Sequence, residues 1–153
     1  MCRVFLSGKR RMPNSEPYQP DNIFARILRG ELPAHKVFED DVALAFMDVM
    51  PQSDGHTLVI PKLPVRGLLD MPADAWGAYM ARVQKVAAAV KRGMDADGLT
   101  LRQYEGAAGG QTVFHLHFHI LPRWEGVGLR RHGDAMEKDD VLKAHATKIR
   151  AAF

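Results

Sequence analysis

Three histidines at alternate positions, His115-Leu116-His117-Phe118-His119, are the residues of this chain best suited to chemistry. In an extended segment successive side chains point to opposite faces. The three imidazoles then share one face, while Phe114, Leu116, Phe118 and Ile120 share the other, which reads as core. Packing alone does not explain an aligned triplet, because each ring brings polar nitrogens that need partners. A neutral imidazole, with an ordinary pKa of about 6.5, keeps a free lone pair at pH 7 and can attack an electrophilic centre such as phosphorus. A metal site is the rival chemistry. Positions i and i+4 of a strand lie about 13 Å apart at ~3.3 Å per residue, so the three rings do not comfortably meet on one ion. A further ligand has to come from elsewhere, and His56, Asp48 and Glu105 are the available donors.

The loop Gly106-Ala107-Ala108-Gly109-Gly110-Gln111-Thr112 runs directly into the triplet. Gly109 and Gly110 permit close approach of the backbone, whose amides can cradle a phosphate, and Gln111 and Thr112 offer side-chain donors. Asp48 follows an apolar run. A buried, unpaired carboxylate there would be costly, and on local grounds Asp48 reads as a cap for the turn over residues 49–52.

The elements that must position these groups follow from the hydrophobic patterning. Ile23, Phe24, Ile27 and Leu28 have the spacing of one helical face, closed by Gly30. Residues 35–39 and 42–48, separated by Asp40 and Asp41, predict a β-hairpin, and residues 56–60, closed by Pro61 and Pro64, predict a third strand. Pro72 suits a first helical turn. Trp76, Met80, Val83, Ala87, Val90 and Met94 then recur at helical steps and predict a long helix up to Asp95. Residues 100–105 and 113–121 predict two more strands, and residues 137–153 a last helix with Asp139 and Asp140 near its positive end. The expected fold is α+β, an antiparallel sheet of about five strands with one long helix.

Composition narrows the function. At 153 residues and 46% hydrophobic content the chain suits one domain with a real core. Its formal charge is +3, but Arg3, Lys9, Arg10 and Arg11 lie in the first 11 residues, which hold no acid; without them 17 basic groups face 18 acidic ones, which argues against a nucleic-acid partner. No run approaches the roughly 20 apolar residues of a membrane span. The short apolar run Val4-Phe5-Leu6 does not make a secretory signal, and Cys2, the only cysteine, excludes an intrachain disulfide and a cysteine-based zinc site. A soluble, cytoplasmic protein is expected. Residues 1–21, rich in Arg, Lys, Pro, Ser and Asn, read as a flexible leader in which Met12 is a second candidate start; residues 22–153 read as the folded domain with a helical tail.

The segment His115-Leu116-His117-Phe118-His119-Ile120-Leu121 has the form His-φ-His-φ-His-φ-φ, with φ apolar, and in this the sequence resembles the histidine triad family. The resemblance extends through Ile23-Phe24, Gly30-Glu31-Leu32-Pro33-Ala34, Phe38-Glu39-Asp40, Leu44-Ala45-Phe46-Met47-Asp48, His56-Thr57-Leu58-Val59-Ile60-Pro61-Lys62 and Gly110-Gln111-Thr112-Val113. It implies a two-fold homodimer that cleaves a nucleoside monophosphate, AMP or another purine nucleotide, from a phosphoramidate or a phosphoanhydride, with no metal or other cofactor. It also implies roles: His117 as the nucleophile that forms a nucleotidyl-histidine, His119 near the leaving group, and His115 and His56 orienting the site. Asp48 would accept from the ribose hydroxyls, and Phe24, Ile27, Phe46 and Val49 would sandwich the base. Gly110, Gln111 and Thr112 would serve the phosphate. A dinucleoside polyphosphate hydrolase and a non-catalytic nucleotide-binding interaction module are the alternatives. Two departures stand out. Asn22-Ile23-Phe24-Ala25 lacks the cysteines that many bacterial members carry there as part of a zinc site, so no structural zinc is expected. Tyr104 stands where better-known members have an amide near the phosphate, with Gln103 beside it.

Overall fold

Asn22 starts the first helix: its side-chain carbonyl accepts from the amides of Phe24 (3.1 Å) and Ala25 (2.9 Å), capping α1 (Ile23–Leu28). The structure is a computed structural model that describes residues 16–153. The basic cluster and Met12 of the expected leader lie outside the described residues. Its last part does not: Glu16, Pro17 and Tyr18 all bond to the domain, so the leader boundary at residue 21 is drawn too late.

Strands β1 (Lys36–Glu39) and β2 (Ala43–Met47) form the expected hairpin. Asp40 sets its turn by accepting from the amides of Val42 (2.9 Å) and Ala43 (3.0 Å), and Arg82 holds the same carboxylate at 2.8 Å. Strand β3 (Thr57–Pro61), helix α2 (Trp76–Gly93), strands β4 (Gly98–Arg102) and β5 (Phe118–Arg123), and helix α3 (Asp139–Arg150) follow. The five strands make one antiparallel sheet in the order β1-β2-β3-β5-β4. Pro72 precedes a short 3-10 turn that runs into α2.

Both faces of β2 and β3 are covered, which explains why these strands read as nearly continuous apolar runs. On one face Ala43, Ala45, Met47 and Val59 pack against Tyr79, Val83, Val86 and Val90 of α2 and Leu142, Ala146 and Ile149 of α3. The buried stripe of α2 passes through Tyr79; Met80, expected on that stripe, is exposed. On the other face Leu44, Phe46, Leu58 and Ile60 pack against Phe24 and Ile27 of α1. A cavity opens on this second face. Helices α2 and α3 meet at Gly93, where a Cβ would stand 2.8 Å from the Ile149 Cα and the Lys148 carbonyl, so only glycine allows the crossing. Among the described residues no helix is long and apolar enough to cross a membrane.

The strand expected over residues 113–121 begins only at Phe118. Residues 113–115 bend, and the Leu116 amide bonds to the Val65 carbonyl (2.9 Å) instead of a neighbouring strand. Leu116 and Ile120 are buried as expected; Phe114 instead lies half-buried beneath the Arg66 guanidinium, 4.7 Å from its ring centre. The strand expected over residues 100–105 is likewise shifted to Gly98–Arg102.

Candidate active site

The strand register brings His119 onto the α1 face. His119 pairs with Leu58 of β3 and with Arg102 of β4, and Leu58 belongs to the apolar cluster under Phe24 and Phe46. His117 and His119 lie with ring centres 5.0 Å apart, and the Phe24 ring meets His117 edge-on at 5.0 Å. His56, next to the start of β3, completes the cluster, its ring 5.2 Å from His119. All four histidines are buried.

Hydrogen bonds fix the proton on each neutral ring, since a neutral imidazole has one N–H and one acceptor nitrogen. The Gln52 amide donates to His56 Nδ1 (3.1 Å), so His56 carries its proton on Nε2 and donates to His119 Nδ1 (2.9 Å). His119 therefore holds its own proton on Nε2. His115 donates from Nε2 to the Pro61 carbonyl (2.8 Å) and accepts at Nδ1 from the Tyr18 hydroxyl (2.6 Å). His117 donates from Nδ1 to the His115 carbonyl (2.6 Å), which leaves the Nε2 lone pair unused.

Burial keeps these rings neutral by disfavouring the charged form. It lowers His117, and it pulls His115 down to about 4, His56 to about 3 and His119 to about 2, with neighbouring cationic side chains and imidazoles adding to the last two. Asp48 is also buried, which raises its carboxyl above the ordinary value against the Met50 amide that holds it down. Its Oδ1 accepts from that amide (2.8 Å), as a turn cap would, and its Oδ2 lies 3.5 Å from His56 Nε2.

His117 and His119 open onto a cavity of about 290 Å³. Its lining combines the apolar side chains of Phe24, Ile27, Leu32, Phe46, Val49 and Leu58 with the polar ones of Asp48, Thr112, His117, His119 and His132. The sequence-derived residues thus converge, with exceptions. His115 and His56 stand behind the ring layer and do not line the cavity. Gln111 is turned into its own loop: its amide nitrogen donates to the Arg66 carbonyl (2.6 Å) and its side-chain oxygen accepts from the Gly106 amide (2.8 Å), so both groups are used structurally. Gly110 has φ of +100° and a Cβ there would press to 3.2 Å from Tyr104, whose ring meets His119 edge-on at 5.4 Å. Gln103 does not replace the missing amide, because its Nε2 donates to the Tyr104 carbonyl (2.9 Å) and to Glu105 (3.2 Å).

Sequence reasoning missed Tyr18 and His132. Tyr18 sat in the segment read as a leader, and the one sign available was an aromatic ring next to Pro17 in an otherwise polar stretch. His132 lies in an aperiodic loop after β5, where no pattern announces a cavity-lining residue.

Asp48, His56 and His119 each bring a donor atom to within 4.8 Å of the others, and this set suits a divalent cation in type. Of the donors expected to complete a metal site, His56 and Asp48 thus join one histidine of the triplet, not two. Glu105 instead accepts from the Leu68 amide (2.6 Å). An ion would have to displace the proton that His56 gives to His119. The residues at the cysteine positions have other uses: Asn22 caps α1, and Ala25 is buried.

The family profile described as HIT domain matches residues 29–126. A protein named Adenylylsulfatase HINT3, from Arabidopsis thaliana, is 37% identical over 144 residues, spanning 90% of this chain and 73% of its own length. Among solved structures, a Hit-like protein involved in cell-cycle regulation from Bartonella henselae matches with a TM-score of 0.86 at 48% identity, over 90% of this chain and 100% of that one. A zinc-bound histidine triad family protein from Mycobacterium smegmatis matches with a TM-score of 0.77 at 34% identity, over 86% and 92%.

Proposed function

The chain belongs to the histidine triad (HIT) family, and from that membership we propose that it is a nucleotide hydrolase, cleaving AMP from a phosphoramidate or phosphoanhydride through a nucleotidyl-histidine on His117. The observation that carries this reading is the His117 ring: Nδ1–H is tied to the His115 carbonyl, so the free lone pair is on Nε2 of a residue that lines the cavity. Nε2 attacks the α-phosphorus, the bond to the leaving group breaks, and the electron pair departs with that group. The Nε2–H of His119 donates to it. Water then attacks the nucleotidyl-histidine and gives its proton to His119 Nε2, restoring the one that ring passed to the leaving group; the bond from phosphorus to Nε2 of His117 breaks, AMP is released and the electron pair returns to His117. The apolar lining around Phe24 and Phe46, whose rings meet edge-on at 5.5 Å, takes the base. The adenylylsulfatase name of the Arabidopsis relative supports an adenylyl group as the part retained.

Turnover of adenosine phosphoramidate and of diadenosine polyphosphate by the same preparation tests the reading. Faster hydrolysis of the phosphoramidate is expected; exclusive hydrolysis of the polyphosphate would replace it with a dinucleoside polyphosphate hydrolase, and turnover of neither would leave a binding module. Within this reading the protein is a cytoplasmic two-fold homodimer. The free edge of the sheet at β4, where Leu101 is 44% exposed, is a surface such pairing would cover.

Asp48 gives a first prediction. Asp48→Asn keeps an oxygen to cap the Met50 amide but removes the charge offered to the ribose. Hydrogen bonds to charged groups are worth about 1.5–3 kcal/mol, so AMP affinity should fall roughly ten- to a hundred-fold. A 2′,3′-dideoxy analogue should bind both proteins alike. Thermal stability should not fall, because burial disfavours the charged carboxylate and the variant removes it. Equal losses for both ligands would reduce Asp48 to a turn cap.

A second prediction concerns metal, since no step above runs through one. Exhaustive chelation should leave turnover and thermal unfolding unchanged. Loss of activity with EDTA, restored by stoichiometric zinc, would contradict this and assign the Asp48, His56 and His119 set to an ion.

A further inference from the structure

His132 stands outside the span that matches the family profile, which ends at Gly126, yet it lines the same cavity as His117 and His119. Its ring lies edge-on to His119, with centroids 6.2 Å apart. Among the described residues the His132 ring makes no hydrogen bond to the protein, so both its nitrogens are available to a ligand.

The loop that carries His132 is held in place. The Arg130 amide donates to the Gln52 carbonyl (2.8 Å), and Gln52 Nε2 returns a bond to the Arg130 carbonyl (3.2 Å). The Arg130 guanidinium pairs with Asp54 and, at 3.3 Å, with Glu137, whose amide donates to the Val49 carbonyl (2.9 Å). Gln52 is also the residue whose amide sets the His56 tautomer. One short segment therefore fixes both the proton chain behind His119 and the loop in front of it.

In an in-line displacement the leaving group departs on the side opposite His117. The mechanism proposed above places His119 there, and His132 is the further imidazole beside His119. We propose that His132 is a specificity-determining residue that donates a hydrogen bond to an anionic leaving group, so that its removal weakens turnover of mixed anhydrides of AMP with an oxyanion more than that of phosphoramidates of uncharged amines. This rests on the nucleotide hydrolase reading. The two leaving groups make different demands. An amine leaves with the electron pair of the P–N bond and takes the proton from His119. A sulfate or phosphate leaves with the electron pair of the P–O bond as a stable anion, and needs donors for its charge more than a proton. His132 supplies such a donor.

The test compares His132→Ala with the unaltered protein on adenylyl sulfate and on adenosine 5′-phosphomorpholidate, whose leaving group is an uncharged amine. The ratio of kcat/KM for the sulfate to that for the morpholidate should fall roughly ten- to a hundred-fold, the range expected for a hydrogen bond to a charged group. His132→Gln, which keeps a donor, should recover part of the ratio. An unchanged ratio in His132→Ala would overturn the proposal while leaving the hydrolase reading intact. Failure of the unaltered protein to turn over either compound would overturn both. A loss of circular dichroism or thermal stability in His132→Ala is not expected, because the loop is held by Arg130.

Discussion

Replacing His117 with alanine should lower kcat by about four orders of magnitude or more, while AMP affinity changes by less than about tenfold. The two effects separate because the ring acts differently in the two states. In the ground state His117 offers substrate one neutral contact, of the kind worth roughly 0.5–1.5 kcal/mol. In the proposed transition state it forms the bond to phosphorus, and none of His119, His115 and His56 can take over. Nδ1 of His119 accepts from His56, and Nε2 of His119 carries a proton. His115 and His56 stand behind the cavity lining. The variant keeps Phe24 and Phe46 in the cavity lining, the surface proposed to take the base. Steady-state kinetics and calorimetric titration with AMP provide the two numbers. A variant that retained kcat would mean that water, not an imidazole, attacks phosphorus; one that lost affinity and turnover together would make His117 a structural support.

The second large effect is on stability in acid. His56, His115 and His119 are neutral when folded and shifted down to about 3, 4 and 2, whereas in the unfolded chain they titrate near the ordinary 6.5. Below about pH 6.5 the unfolded chain binds protons that the folded one refuses, so stability present above that pH is lost as pH falls toward the folded values. Each ring removes up to about 1.4 kcal/mol per pH unit. Between pH 7 and 5.5 the three together should cost roughly 3–4 kcal/mol, a large part of the 5–15 kcal/mol typical of a domain. The lowered carboxylates Glu31, Glu39 and Asp40 contribute only near and below their ordinary range, and the raised Asp48 opposes the trend. Urea unfolding at the two pH values measures the loss. His115→Gln, which keeps a donor for the Pro61 carbonyl, should remove about a third of it. A urea midpoint that did not move between pH 7 and 5.5 would mean that the rings are not buried as neutral bases.

The sequence identified the histidines because alternation is a local property, and local chemistry is also what made the Asn22 cap, the hairpin and the long helix readable. It misplaced the start of β5 because side-chain to backbone bonds compete with strand pairing. The His117 ring closes onto the carbonyl of His115, and the Leu116 amide reaches Val65, across roughly fifty positions that no period connects. Gln111 was read as a donor to substrate because glycine-rich loops before a functional segment expose their polar groups; here the amide is what holds that loop shut. Tyr18 and His132 were out of reach for a shared reason. Each is carried to the site by an arginine-anchored segment without periodicity, Tyr18 beside the contacts of Arg66 with Glu16 and Pro17, and His132 beside Arg130. Long-range ion pairs of this kind leave no trace in spacing.

The central claim is a covalent one, and trapping tests it most directly. The unaltered protein is mixed with adenosine phosphoramidate, quenched in alkali, where a phosphorus–nitrogen bond to histidine survives, and digested for mass spectrometry. An adenylyl group on His117, absent from His117→Ala, is the predicted result. Turnover without any adduct, or an adduct on His115, His119 or His56 in place of His117, would contradict the account.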